Sequence, residues 1–152
     1  METITVERTI AAPVNDVFDW ISNAHNYTRV PMVLHERVQT PGAGTTYGPG
    51  AVRFLVWAIG LFWERITHFD PPYSFEYHVY RSFPPARHRA GRVDCTETAG
   101  GTRVVWSTIV QLRIPFVGAA LTRRVARPLL AHTFERVLDV AEHDLVTRTT
   151  TP

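Results

Sequence analysis

With 152 residues, 45% of them hydrophobic and 20% charged, the chain has the size and composition of one soluble globular domain with a substantial core. Sixteen basic residues, every one an arginine, stand against fourteen acidic ones, and the resulting charge of +2 argues against a nucleic-acid partner. The absence of lysine excludes Schiff-base chemistry, and the single cysteine, Cys95, excludes a disulfide framework or a CxxC redox or zinc motif.

Residues 3–10 alternate polar and apolar side chains, the period of a half-buried strand. Pro13 suits the first turn of a helix, and Val14, Val17, Phe18 and Ile21 recur at helical spacing, so 13–22 is predicted as a short amphipathic helix. A second short helix or an irregular turn then carries the chain to Pro31. Met32–Gln39 is a candidate strand, and residues 41–50 form a loop rich in glycine and proline. Ala51–Ile59 and Leu61–Phe69 read as two strands hinged near Gly60, and Asp70-Pro-Pro72 stops the second. Tyr73–Tyr80 is the next strand. Ser82–Arg87, with Pro84 and Pro85, is a loop, and His88–Thr98 with Thr102–Leu112 forms a hairpin about residues 99–101. Pro115 closes the last strand. From 118 to 146 the chain reads as one long helix of about 40 Å, with Leu130, Phe134, Val137, Ala141 and Leu145 as its apolar stripe and Pro128 as a kink or boundary. Residues 1–146 are thus expected to be one domain and 147–152 a flexible tail.

Seven antiparallel strands and one long helix bury their apolar faces only if the sheet curls around the helix, an α+β arrangement that leaves a concave space between the two. The N-terminus lacks the form of a signal peptide, and no apolar run reaches the ~18–20 residues of a membrane span. The expected location is therefore cytoplasmic.

Four motifs in order carry a family resemblance: Ile10-Ala-Ala-Pro13 leading into Val17-Phe18; Gly48-Pro-Gly50 leading to Arg53; Glu64-Arg-Ile66 leading to Asp70-Pro-Pro72; and Gly100-Gly-Thr-Arg-Val104 leading to Trp106. Over nearly its whole length the chain resembles the START-related superfamily (SRPBCC) of the birch-pollen allergen and the bacterial polyketide cyclase/dehydrase and lipid-transport proteins. The resemblance implies a helix-grip fold: a seven-stranded curved antiparallel sheet around a long C-terminal helix, with one or two short helices after the first strand. It also implies a cavity for a lipid, sterol or polyketide, and in some members aldol cyclisation or dehydration. A shared fold does not by itself carry a shared activity.

Strand alternation proposes which side chains face that cavity. Arg103, Ser107 and Gln111 put the outer face of the last strand on odd numbers, so Val104, Trp106, Thr108 and Val110 face inward. Tyr73, Phe75, Tyr77 and Val79 likewise point in, leaving Ser74, Glu76 and His78 outside. The phase that turns Ile66 inward brings Glu64 with it. An internal Glu64 has a raised pKa, accepts a hydrogen bond from Tyr77 and removes a proton beside a ketone; the alternative is a surface glutamate paired with an arginine. Arg53, if internal, neutralises a ligand carboxylate or enolate, and otherwise forms a surface salt bridge. His132, beside the helix stripe, is either an acid or base at the cavity or a partly buried histidine without chemistry. Tyr73, Phe75, Tyr77 and Trp106 form one aromatic wall, with Phe54 beside Arg53 and with Leu130 and Phe134 opposite. Such walls suit a planar or long apolar ligand. The histidines show no ligand spacing, so no metal is expected, nor any other cofactor.

Residues 54–63 are apolar throughout, where a one-sided strand alternates. In a meander alternate connections share an end of the sheet, so the Gly60 hinge, the 82–87 loop and the 114–118 connection are expected together. That end carries Trp57, Ile59, Leu61, Phe62, Phe83 and Phe116, rimmed by Arg87, Arg113, Arg123 and Arg124. An apolar tip with an arginine collar fits docking to an anionic membrane or an acidic carrier protein, and equally burial in a homodimer. The leading functional expectation is carriage or sensing of a hydrophobic small molecule. The alternatives are a cofactor-free polyketide-type cyclase or dehydratase using Glu64, Tyr77, Arg53 or His132, and a protein- or membrane-docking module.

Overall fold

Alternation, turn chemistry and helical spacing build the elements in the expected order. The computed structural model describes residues 1–150, with side chains through Thr147. Strands β1 (Glu2–Ile10), β2 (Val33–Thr40), β3 (Val52–Trp57), β4 (Gly60–Asp70), β5 (Ser74–Phe83), β6 (Ala86–Thr98) and β7 (Gly101–Leu112) form one antiparallel sheet in the order β1-β7-β6-β5-β4-β3-β2. β1 pairs with β7 along its whole length, from Glu2 opposite Val110 to Ile10 opposite Thr102. At the β6–β7 hairpin Gly101 has φ 130° and lies against the backbone of Ile10–Ala12, so a side chain there is excluded both by conformation and by space. Thr102 then donates its hydroxyl to the Ala12 carbonyl at 2.8 Å. This contact ties the first and last strands and explains why the Ile10-Ala-Ala-Pro13 and Gly100-Gly-Thr motifs occur together.

Helix α1 (Val14–Ser22) buries Val14, Val17, Phe18, Trp20 and Ile21. The segment after it is a 3-10 helix, Ala24–Arg29, whose first turn is held by the Asn23 side chain accepting from the His25 N–H at 3.1 Å. The C-terminal helix is less uniform than its sequence pattern. It opens as α2 (Gly118–Leu121), widens into a π turn at Thr122–Ala126 and continues as α3 (Arg127–Thr150). The irregularity thus precedes Pro128, whose missing N–H falls where the wide turn hands over to regular helix. The buried Thr122 hydroxyl anchors the turn, donating to the Gly118 carbonyl at 2.6 Å and accepting from the Leu112 N–H at 2.9 Å. Helix α3 runs through Thr150, beyond residue 146 where a tail was expected, and residues 151–152 lie outside the described residues.

α3 presents Phe134, Val137, Leu138, Ala141 and Leu145 to the inner face of the sheet. Burying each of the four larger side chains contributes about 1.5–3 kcal/mol. Trp20 Nε1 donates to the buried Asp144 at 3.0 Å, and Arg29 forms an ion pair with the same carboxylate, so α1 and the 3-10 helix are tied to α3.

Between β5 and β6 the sheet opens. The two strands pair only from Ser74 opposite Asp94 to Tyr77 opposite Gly91, after which β5 continues along β4 and β6 along β7. Gly91 faces the Tyr77 ring so closely that a Cβ would collide with it. Each strand is held to its end by its other neighbour, Phe83 opposite Leu61 and Ala86 opposite Leu112, so the loop expected at 82–87 shrinks to the Pro84–Pro85 turn.

Candidate functional site

A cavity lies between the inner face of the sheet and α3, in two parts. The deep chamber, about 50 Å³, is lined by polar and aromatic groups from Tyr27, Arg53, Glu64, Tyr77, His88 and Trp106. The outer vestibule, about 330 Å³, is walled by apolar side chains including Ile59, Leu112, Ile114 and Leu129. Phe62, Ala86, Val110 and Leu130 line both, so the two lie end to end, with the vestibule at the end where the strand turns gather.

The β3–β4 register sets Arg53 directly opposite Glu64. Both point inward, and Arg53 Nε donates to Glu64 Oε2 at 2.8 Å with Arg53 only 1% exposed. Three rings enclose the guanidinium, those of Tyr77, Tyr27 and Phe75, at 5.4, 5.7 and 5.9 Å. Burial pushes the Glu64 carboxyl above the ordinary carboxylate range, although the adjacent guanidinium opposes it. Burial, the largest single influence, works against the charge on Arg53, but Glu64, Tyr27 and Tyr77 together outweigh it and the guanidinium stays protonated. Arg53 Nη1 is buried without a hydrogen-bond partner, and so is Trp57 Nε1. Arg53, Leu55 and Trp57 alternate onto the same inner face of β3, so both unpaired donors belong to residues of the chamber wall.

Tyr77 does not bond Glu64 as anticipated. Its hydroxyl accepts from Trp106 Nε1 at 2.9 Å, and burial with the nearby Glu64 charge pushes its pKa well up. Trp106 stacks on Phe134 at 4.0 Å, joining the sheet wall to α3. Burial likewise pushes Tyr27 up to about 12, and its hydroxyl donates to the Ile21 carbonyl.

His88 belongs to the chamber although nothing in the sequence singled it out. It stands where β5 and β6 part and replaces the missing ladder. Its Nδ1 accepts from the Val79 N–H at 3.1 Å, so in the neutral ring Nε2 carries the proton and donates to Thr108 Oγ1 at 2.7 Å. The ring stacks on Tyr77 at 5.6 Å. Burial lowers its pKa to about 4. With both nitrogens engaged, His88 is a latch between two strands rather than a free acid or base.

Several sequence expectations change. Phe54 lies on the outer face, against Trp63 at 4.7 Å and His35, because its neighbour Arg53 points inward and adjacent strand residues oppose each other. That outer cluster, with Arg81 over Trp63, explains why residues 54–63 do not alternate in polarity. Tyr73 is exposed, since it belongs to the turn closed by its N–H to Asp70 (2.8 Å) and β5 starts one residue later. Ser74, expected outside, is buried, a small residue on the outer face opposite Asp94 and beside the Glu76–Arg92–Asp94 ion pairs. Phe75 is core beneath Arg53, edge-on to Phe18. His132 is exposed, since its position falls on the helix side away from Leu130 and Phe134. Trp57 and Phe62 face the cavity, while Ile59 and Leu61 are half-buried. Phe83, Phe116, Arg123 and Arg124 are exposed, and Leu130 and Phe134 line the chamber. Cys95 is buried, which pushes its thiol up to about 12. Among the described residues no three His, Cys, Asp or Glu side chains are grouped to hold a metal ion, and no helix is long and apolar enough to cross a membrane.

Comparison with known proteins sets this geometry in context. A family model described as polyketide cyclase / dehydrase and lipid transport matches residues 1–149. No curated protein matches the chain. Among solved structures, a Thermus thermophilus protein superposes with a TM-score of 0.80 at 18% identity, covering 98% of this chain and 100% of that one. A START superfamily protein from Mycobacterium smegmatis superposes at 0.76 and 12% identity, covering 95% and 97%. The Zhui aromatase/cyclase from Streptomyces sp. R1128 superposes at 0.72 and 18% identity, covering 99% and 96%. At these identities the structures establish the fold, the seven-stranded helix-grip arrangement.

Proposed function

The chain belongs to the polyketide cyclase / dehydrase and lipid transport family, and we propose that it binds an apolar small molecule with an oxygen-bearing end, the oxygen at Arg53 and the apolar body in the vestibule. The observation that carries this reading is the pair of buried, unpartnered N–H donors, Arg53 Nη1 and Trp57 Nε1. A buried donor left unpaired costs about 1–3 kcal/mol, and a ligand oxygen recovers that cost. The charged guanidinium favours an enolate, phenolate, carboxylate or sulfonate oxygen over a neutral one. The apolar vestibule contributes about 25 cal/mol for each Å² of ligand surface it removes from water.

Titration with 1-anilinonaphthalene-8-sulfonate, an aromatic body with an anionic end, tests the reading by fluorescence. One-to-one binding is expected, weakened at least about tenfold in Arg53→Gln, which loses a charge-assisted bond of about 1.5–3 kcal/mol. Leu130→Trp, which fills the passage and leaves the Arg53–Glu64 pair alone, is expected to block binding in a stably folded protein. Unchanged affinity in both variants would refute the reading. Organic extraction of the native protein and mass spectrometry identify any ligand carried from the cell.

A second reading, cofactor-free cyclisation or dehydration, is favoured by the raised Glu64 pKa beside a fixed cation. There Glu64 takes a proton from the carbon next to a ligand ketone while Arg53 stabilises the enolate oxygen. α-Tetralone bound in deuterated water supplies the test: exchange of its α-hydrogens in the wild type, lost in Glu64→Gln with binding retained, supports catalysis. Binding without exchange leaves carriage as the function.

A further inference from the structure

We propose that the open end of the cavity is a docking surface for an anionic phospholipid bilayer. Three connections meet there. Leu61, just after the β3–β4 turn, pairs with Phe83 at the end of β5, and the Arg113 N–H, just past β7, donates to the Pro85 carbonyl at 2.8 Å. Val125 on the π turn lines the vestibule that opens at this end. Around it the chain leaves large apolar side chains in solvent: Phe83 is 67% exposed, Phe116 108%, and Val117 and Val125 are also exposed. Phe116 has φ 68°, a conformation that L-residues disfavour. The left-handed backbone at Phe116 thus presents a fully exposed aromatic ring to solvent.

Charge segregates in the same place. Arg87 and Arg113 flank the Pro84–Pro85 turn and the connection after β7, and Arg123, Arg124 and Arg127 follow on the π turn and the start of α3. Arg87, Arg113 and Arg124 are exposed and make no ion pair among the described residues, while Arg123 and Arg127 share Glu2 at 3.3 and 3.4 Å. Rings that project singly, flanked by unpaired guanidiniums, match a bilayer surface better than the flat, close-packed patch of a protein interface. Lipid phosphates accept the arginine forks, and the acyl region accepts Phe83 and Phe116. The vestibule mouth would then face hydrocarbon, and an apolar ligand could enter without crossing water.

The test is flotation with vesicles of phosphatidylcholine alone or mixed with phosphatidylglycerol, at low and at high salt. Binding is expected only to the mixed vesicles, and it should weaken as salt screens the charges. Arg113→Gln and Arg124→Gln should each weaken it about fivefold, and Phe83→Ser with Phe116→Ser should abolish stable attachment. Cys95 is the chain's one thiol and is buried, so Phe116→Cys takes an environment-sensitive fluorophore selectively, and its emission should shift to the blue on mixed vesicles. Equal binding to both vesicle types, wild-type binding by the arginine or phenylalanine variants, or an unshifted probe would overturn the proposal. So would capture by an acidic carrier protein without vesicle binding, or a dimer in solution that protects the fluorophore at position 116. Arg53→Gln should leave vesicle binding intact, so this surface and the ligand reading fail or succeed separately.

Discussion

Substituting Glu64→Gln strips a guanidinium that is 1% exposed of its carboxylate, and the two halves of that pair should respond differently. Charge centres about 4 Å apart attract by about 4 kcal/mol at an effective dielectric near 20. Arginine cannot shed its proton, so Glu64→Gln leaves a buried cation at every pH. The loss of one partner from a buried pair costs about 3–5 kcal/mol. The rings of Tyr27, Phe75 and Tyr77 remain around the guanidinium and return part of this, so about 2–4 kcal/mol is expected. Arg53→Met leaves the opposite remnant, a carboxyl that escapes its penalty by taking a proton. Its folded pKa, already raised by burial, rises further, so the folded state binds more protons than the unfolded one. Stability of this variant is therefore greatest below the ordinary carboxylate range and falls as pH rises through it, by up to about 1.4 kcal/mol per unit, until the raised folded value is passed. Urea midpoints measured across pH, with unchanged slopes, read both effects. A total stability of about 5–15 kcal/mol keeps both single variants folded. The double variant completes the cycle and should show a coupling of about 2–4 kcal/mol. A Glu64→Gln cost below about 1 kcal/mol, or an Arg53→Met cost equal in acid and at neutral pH, would refute the reasoning.

Three further outcomes are expected. Trp57→Phe removes a donor that has no partner, so it should change stability by less than about 1 kcal/mol yet weaken binding of oxygen-bearing ligands about tenfold, measured by urea melts and probe titration. His88 titrates in the opposite sense to Glu64: its folded pKa is lowered to about 4 from an ordinary 6.5, so its contribution is complete above 6.5 and lost as pH falls toward 4. His88→Gln should flatten that part of the stability profile, and a profile identical to wild type would show that the imidazole does not latch β5 to β6. Phe116→Gly relieves a left-handed φ and should raise the urea-derived stability by about 1 kcal/mol while weakening attachment to mixed vesicles.

Much of this was legible in one dimension because it depends on periods. Period two in β7 put Val104, Trp106 and Thr108 inside, and the same parity brought Glu64 in with Ile66. The counting of turns in a meander brought the Gly60 hinge, the 82–87 loop and the 114–118 connection to one end, since hairpins must alternate between ends. Two errors were errors of parity that the sequence could have corrected. Phe54 cannot share a face with Arg53, and His132 stands two residues from both Leu130 and Phe134, about half a turn away on a 3.6-residue helix.

Other features had no signal in the chain's own order. His88 sits in the chamber because β5 and β6 stop pairing after Tyr77 and Gly91, and strand separation is a property of the curled sheet, invisible to local alternation. The partnership of Arg53 with Glu64 needed the β3–β4 register, and the two unpaired N–H groups needed every neighbour's position. Composition and periodicity determine which residues turn away from water, because burial of apolar surface is averaged over a strand or a helix face. Which buried polar atoms find partners depends on distances of a few tenths of an ångström between segments far apart in sequence, and only the folded sheet and helix together set those distances.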